Sequence, residues 1–155
     1  GVGYREFPVT MLPARDGEPR GEMRRSGKAP NSSYFVNWTK PTDAAVWNIE
    51  VMTAGTYVVT LDYACAKEDL GAKLELSFEG TLLKGQVTEA WDPALITNQD
   101  VVPRGTHGES LMKPFRTMTL GEVKLEPGKG ELRLRATDIP GKNVMELRRM
   151  TLTLK

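Results

Sequence analysis

The sequence predicts an all-β protein, an antiparallel β-sandwich, and three observations carry that prediction. Apolar residues recur at every second position in several short stretches, as half-buried strands require. No stretch sustains apolar positions at i, i+3, i+4 and i+7, so no long amphipathic helix is expected. Glycine and proline, 15 and 10 of the 155 residues, punctuate the chain too often for long helices. Many short strands with turns between them pack as a sandwich or a barrel.

Taken in order, residues 11–31 are rich in Pro, Gly and Arg and read as irregular chain or an edge strand wrapping the sandwich. The first clear strand holds Trp47, Ile49 and Val51 on one parity and Asn48 and Glu50 on the other. After Thr53-Ala54-Gly55, Tyr57, Val59, Leu61 and Tyr63 alternate with Val58, Thr60 and Asp62; the short turn predicts that these two strands form a hairpin. A second hairpin is expected where Leu74, Leu76 and Phe78 alternate with polar residues, Glu79-Gly80 turns the chain, and a short strand runs near Thr81 to Gln86. The stretch from Phe115 to Leu125 reads as extended chain interrupted at Gly121. Turn chemistry at Glu126-Pro127-Gly128-Lys129-Gly130 then precedes a strand with Leu132, Leu134 and Ala136 inward. In the last strand Met145 and Leu147 share one parity while Met150, Leu152 and Leu154 share the other. The register must slip near Arg148-Arg149, and a β-bulge would do this. The connection from Val87 to Pro114 is unusually long, which favours a functional or disordered loop.

Composition narrows function by exclusion. With 21 basic and 20 acidic residues the formal charge is +1, so no field exists to hold a polyanion, and nonspecific nucleic-acid binding is not expected. One cysteine, Cys65, cannot form an internal disulfide, and no apolar run approaches the ~18 residues of a membrane span. Gly1 is followed by no signal-peptide pattern, and the chain reads as one sandwich domain over residues 1–155, excised or processed from something larger; localisation stays open.

The residues offer little for catalysis. There is no GxSxG elbow, no HExxH and no phosphate-cradling glycine loop, and His107 is the only histidine. Glu89 and Asp92 could pair as acid and base, but acids in a polar loop are usually solvated. Asp92, Asn98, Asp100 and loop carbonyls are oxygen donors of the kind calcium prefers, although residues of these types more often cap turns; calcium binding is left open. Asn31-Ser32-Ser33 and Asn37-Trp38-Thr39 match the glycosylation acceptor pattern.

The aromatics discriminate better. Trp47, Tyr57, Tyr63 and Phe78 lie on apolar strand parities and are expected in the core. Trp38 and Trp91 lie in polar, turn-rich settings, Asn37-Trp38-Thr39-Lys40-Pro41 and Glu89-Ala90-Trp91-Asp92-Pro93. Two readings stay open for both. The rings could stack on a sugar face while their neighbours bond its hydroxyls, or fold back to cover the end of the sandwich. Arg24-Arg25 and Arg148-Arg149 are expected on solvent faces, where a sulfated or carboxylated sugar would suit their guanidinium groups.

The stretch Ala45-Val46-Trp47-Asn48-Ile49-Glu50-Val51, followed by Ala54-Gly55-Thr56-Tyr57-Val58-Val59-Thr60-Leu61-Asp62-Tyr63-Ala64, resembles the core of family 6 and 35 carbohydrate-binding modules. Residues 125–134 resemble their penultimate hairpin, and residues 141–147 their last loop and strand. Asn37-Trp38-Thr39, residues 87–93, Val102-Pro103-Arg104 and residues 139–145 are similar to the C-terminal accessory domain of bacterial, often planctomycete, sulfatases and of some α-L-fucosidases. The resemblance implies a jelly-roll, galactose-binding-like sandwich with no catalysis of its own. Its partners would be a polysaccharide or oligosaccharide, sulfated in some cases, and a parent catalytic domain; no nucleic acid or membrane partner is implied. A secreted or periplasmic location would follow. It also implies a binding loop set from which Asn37, Trp38, Trp91, Asp92, Arg104 and Asn143 are the candidate carbohydrate-binding residues, with Asn143 matching the family 6 loop asparagine. Cys65 is followed by Ala66-Lys67-Glu68 and not by the formylglycine sequence of sulfatases. Lys113-Pro114-Phe115-Arg116 stands where family 6 modules carry a stacking tryptophan, and the family's N-terminal calcium carboxylates have no clear counterpart around Glu6.

Overall fold

The computed structural model describes residues 1–27, 33–94 and 113–155. Among these, eleven strands form two antiparallel sheets packed face to face. They are β1 (Val9–Pro13), β2 (Glu18–Arg20), β3 (Arg24–Arg25), β4 (Phe35–Val36), β5 (Ala44–Val51), β6 (Gly55–Ala64), β7 (Lys73–Phe78), β8 (Thr81–Gln86), β9 (Arg116–Leu125), β10 (Gly128–Asp138) and β11 (Glu146–Leu154). One sheet runs β3-β4-β11-β6-β9 with β1 also paired to β11; the other runs β2-β5-β10-β7-β8. Phe35, Tyr57, Leu61 and Met150 of the first sheet and Trp47, Leu74, Leu76 and Leu134 of the second are all buried in one hydrophobic cluster. Burying a large apolar side chain contributes ~1.5–3 kcal/mol, so this cluster dominates the stability of the fold.

The strand register explains which local expectations hold. β7 and β8 form the expected hairpin, and both turn residues, Glu79 (φ 45°) and Gly80 (φ 84°), are left-handed, as a two-residue turn matched to strand twist requires. In β11 the register shifts between Leu147 and Arg149, the bulge expected from the parity change. In β9 the pairing jumps from Gly121 to Thr119, leaving Leu120 as an extra residue where the sequence shows its interruption. β1, β2 and β3 are the short edge segments expected from residues 11–31.

One expectation is overturned. β5 and β6 are not a hairpin: β5 pairs with β2 and β10, and β6 with β11 and β9, in opposite sheets. The same is true of β9 and β10. Three residues at ~3.3 Å each span the ~10 Å between stacked sheets as readily as they reverse a hairpin, so turn length alone does not distinguish the two. The corner is fastened by Tyr57 Oη, which donates to Thr53 O at 2.6 Å. Val2 also pairs there in parallel with Val51, and Lys155 N donates to Thr56 O at 2.9 Å.

Candidate functional site

At the opposite end of the sandwich, four segments meet: residues 37–43 after β4, residues 64–69 at the end of β6, residues 87–92 after β8, and residues 139–145 before β11. Asp43 organises the first. Its side chain is fully buried, and Oδ1 accepts from Glu22 N at 2.7 Å while Oδ2 accepts from Thr39 N and Lys40 N, each at 2.9 Å. Burial acts to raise the Asp43 pKa, but backbone N–H groups of Thr39, Glu22, Lys40 and Met23 outweigh it and hold the carboxyl below its usual range. Asn37 takes a left-handed conformation (φ 60°), one that asparagine tolerates, and its Nδ2 donates to Glu22 O at 2.9 Å.

This loop turns Trp38 inward. The ring is 0% exposed and belongs to the core, and Val144 N donates to Trp38 O at 2.8 Å. Of the two readings open for Trp38, the covering one is correct: an apolar ring this large gains more from burial than from a solvated rim. Its Nε1–H is buried without an acceptor among the described residues.

Trp91 behaves otherwise. Its backbone bridges to Cys65, with Cys65 N to Trp91 O at 2.6 Å and Trp91 N to Cys65 O at 2.9 Å, while Tyr63 Oη donates to Glu89 O at 2.7 Å. The indole is only half-buried. Its Nε1 donates to Pro114 O at 2.6 Å, and the Arg116 guanidinium lies over the ring at 5.2 Å from its centre. Arg116 also lies 3.8 Å from Glu89. The segment Lys113-Pro114-Phe115-Arg116 thus supplies a guanidinium and a carbonyl that hold Trp91.

Asn37, Asp92 and Asn143 line one cavity of about 240 Å³, together with Cys65, Asp69 and Glu146. Trp91 is adjacent in the chain to Asp92 but is not part of that lining. Arg104 lies outside the described residues, as do Asn98, Asp100, His107 and Asn31. Among the described residues no cluster of three or more His, Cys, Asp or Glu is arranged to hold a metal ion. A larger but shallower hollow of about 610 Å³ lies along β5 and β10, on Asn48, Glu50, Lys129 and Glu131.

Asp69 was not foreseen from the sequence, yet it positions the last loop. Oδ1 accepts from Lys142 N at 3.0 Å and Asn143 N at 3.2 Å, and Oδ2 accepts from Asn143 Nδ2 at 3.5 Å. Gly141 permits this approach, because a Cβ there would meet Asp69 Cα and Glu68 O, each at 2.7 Å. Glu146 is paired with Lys113. The Cys65 thiol is buried, and burial followed by the charges of Asp69 and Asp92 pushes its pKa up to about 11, so it is a neutral thiol and not a nucleophile at neutral pH. The cavity therefore presents the side chains of Asn37, Asp92 and Asn143 beside Asp69 and Glu146.

No family model matches the chain, and no curated protein matches it. Solved structures share its fold. It is similar to the C-terminal family 6 module (CBM6) of LamC, a marine laminarinase from Zobellia galactanivorans, at 13% identity and a TM-score of 0.63, covering 94% of this chain and 98% of that one. A family 6 module from Cellvibrio mixtus lichenase 5A, in complex with cellotriose, aligns at 11% identity and a TM-score of 0.58, covering 94% and 97%. The Podospora anserina GH26-CBM35 β-(1,4)-mannanase aligns at 14% identity and a TM-score of 0.62 over 96% of this chain, which spans only 28% of that enzyme. At such identities the likeness is one of fold: a β-sandwich of the kind used by carbohydrate-binding modules.

Proposed function

We propose that this sandwich is a non-catalytic carbohydrate-binding module that holds an appended sulfatase or glycosidase at its polysaccharide, raising effective concentration without breaking a bond. A sulfatase parent would make that polysaccharide a sulfated one. The observation that carries the reading is the gathering of Asn37, Asp92 and Asn143 around one cavity beside a half-exposed tryptophan. Amides and a carboxylate can bond sugar hydroxyls in directional pairs, and the free part of the Trp91 ring can cover an apolar pyranose face. Trp38, buried in the core, presents no ring face to a ligand in this reading.

A glycan array followed by calorimetry tests this. Trp91→Ala and Asn143→Ala are each expected to weaken binding by about tenfold or more, as truncation of a central contact does. An array with no bound glycan, or binding indifferent to both variants, refutes the reading.

A second reading, a structural domain that packs on and stabilises a parent catalytic domain, draws on one observation: Phe7 is 75% exposed, and Tyr4, Val9 and Met11 are also exposed. If it is correct, deleting the domain lowers both the melting temperature of the parent and its activity on a small soluble substrate. A pure binding module leaves both nearly unchanged.

A further inference from the structure

The sandwich carries a second cavity, of about 210 Å³, that shares no lining residue with the one between the loops. Its walls are Met11 and Pro13 of β1, Arg15 and Asp16 of the short 3-10 helix Ala14–Asp16 that follows, Ser33, and Arg148 and Arg149 of β11. The bulge explains why two consecutive arginines face one hollow. In an unbroken strand neighbours point to opposite faces, whereas the extra residue between Leu147 and Arg149 lets both side chains reach the same side of the sheet.

Among the described residues the two guanidinium groups have few strong hydrogen-bond acceptors. Arg149 Nε is 3.1 Å from Asp62 Oδ2, an ion-pair distance, yet it is off the axis of a hydrogen bond and remains a buried N–H without an acceptor among the described residues. Its Nη1 donates to Met11 Sδ at 3.2 Å, a weak acceptor. Asp62 divides its charge, since Oδ1 also accepts from Thr117 Oγ1 at 2.8 Å. The Arg148 side chain is half-buried and makes no hydrogen bond or ion pair with a described residue. Burial, then the adjacent Arg149 charge, lowers its pKa, with Asp62 acting against them. Among the described residues, Asp16, 3.9 Å from Arg15, lines the cavity, and Asp62 stands beside Arg149.

We infer that this cavity is a site for an oxyanion group carried on a sugar, a sulfate ester or a carboxylate, with the Arg148 and Arg149 guanidinium groups as its donors. Planar guanidinium groups present forked N–H donors that match both anions. Met11 and Pro13 give the sugar ring an apolar wall. Only the choice of a sugar as carrier rests on the function proposed above.

Arginine Nε–Hε signals of the full chain, followed during titration with sodium sulfate against sodium chloride at matched ionic strength, test the donors. Saturable shifts of Arg148 and Arg149 with sulfate alone are expected. They should weaken about tenfold in Arg148→Gln and recover in part in Arg148→Lys, with melting temperature unchanged in both. A response that does not saturate, that chloride reproduces, or that survives Arg148→Gln overturns the site. Glucose 6-sulfate and glucuronate identify the source of the anion. Binding of either one, lost in Arg148→Gln and kept in Trp91→Ala, supports the inference, whereas binding of the inorganic ion alone overturns the assignment to a sugar. Because Trp91→Ala reports on the loop cavity and Arg148→Gln on this one, failure of either leaves the other standing.

Discussion

Trp38 and Trp91 sit in similar polar contexts, and the fold treats them in opposite ways. Trp38 follows a two-residue strand, and the buried Asp43 carboxylate gathers the loop behind it so that the ring closes the end of the core. Trp91 is held by its backbone to Cys65 and by its indole N–H to Pro114, and the residue is only half-buried. Neighbouring side chains therefore do not decide the fate of a loop tryptophan. What decides it is which of its groups the rest of the protein binds.

The largest difference should appear in stability. Trp38→Ala is expected to cost ~3–5 kcal/mol in chemical denaturation, as large-to-small changes in a core do, against ~1–2 kcal/mol for the half-buried Trp91→Ala. Equal losses would remove the distinction. Asp43→Ala strands the backbone N–H groups of Glu22, Thr39 and Lys40 and should cost ~2–4 kcal/mol. The same carboxylate gives a pH signature. Its folded pKa is depressed, so its contribution is complete above the ordinary carboxyl value of 3.8 and declines as the pH falls through the lower folded value. Asp43→Asn should flatten that acid limb.

Cys65 supplies the opposite limb. Its folded pKa is raised from 9.0 to about 11, so stability is complete below 9 and falls as the pH climbs towards 11. Cys65→Ser should lessen that alkaline loss in a series of melting curves. The smallest effect sharpens the account of Trp38. Because its Nε1–H has no acceptor among the described residues, Trp38→Phe discards an unsatisfied donor, whereas Trp47→Phe breaks the 3.0 Å bond to Pro13 O. The former should cost ~1 kcal/mol less than the latter; the reverse order would mean that the Trp38 N–H is bonded in solution.

Much of the architecture was legible because strand periodicity is local. The alternation in β6, β7 and β10, the turn at Glu79-Gly80 and the parity change at Arg148-Arg149 all register within a few residues. The crossings between β5 and β6 and between β9 and β10 were not, since each depends on partners far away in the chain. The candidate site divides in the same way. Of the candidates the sequence offers, Asn37, Asp92 and Asn143 meet in one cavity, Trp38 and Trp91 do not line it, and Arg104 lies outside the described residues, whereas Asp69 joins a loop more than seventy residues distant, and no local pattern announces that.

The pairing of Val2 with Val51, and of Lys155 with Thr56, bears on how such a domain can be attached to anything else. Both contacts lie at the Gly55 end of β6, and the tryptophan-bearing rim lies at its Ala64 end, ~30 Å off for ten residues of extended chain. A polypeptide fused at either terminus would leave from the far pole and keep the rim unobstructed.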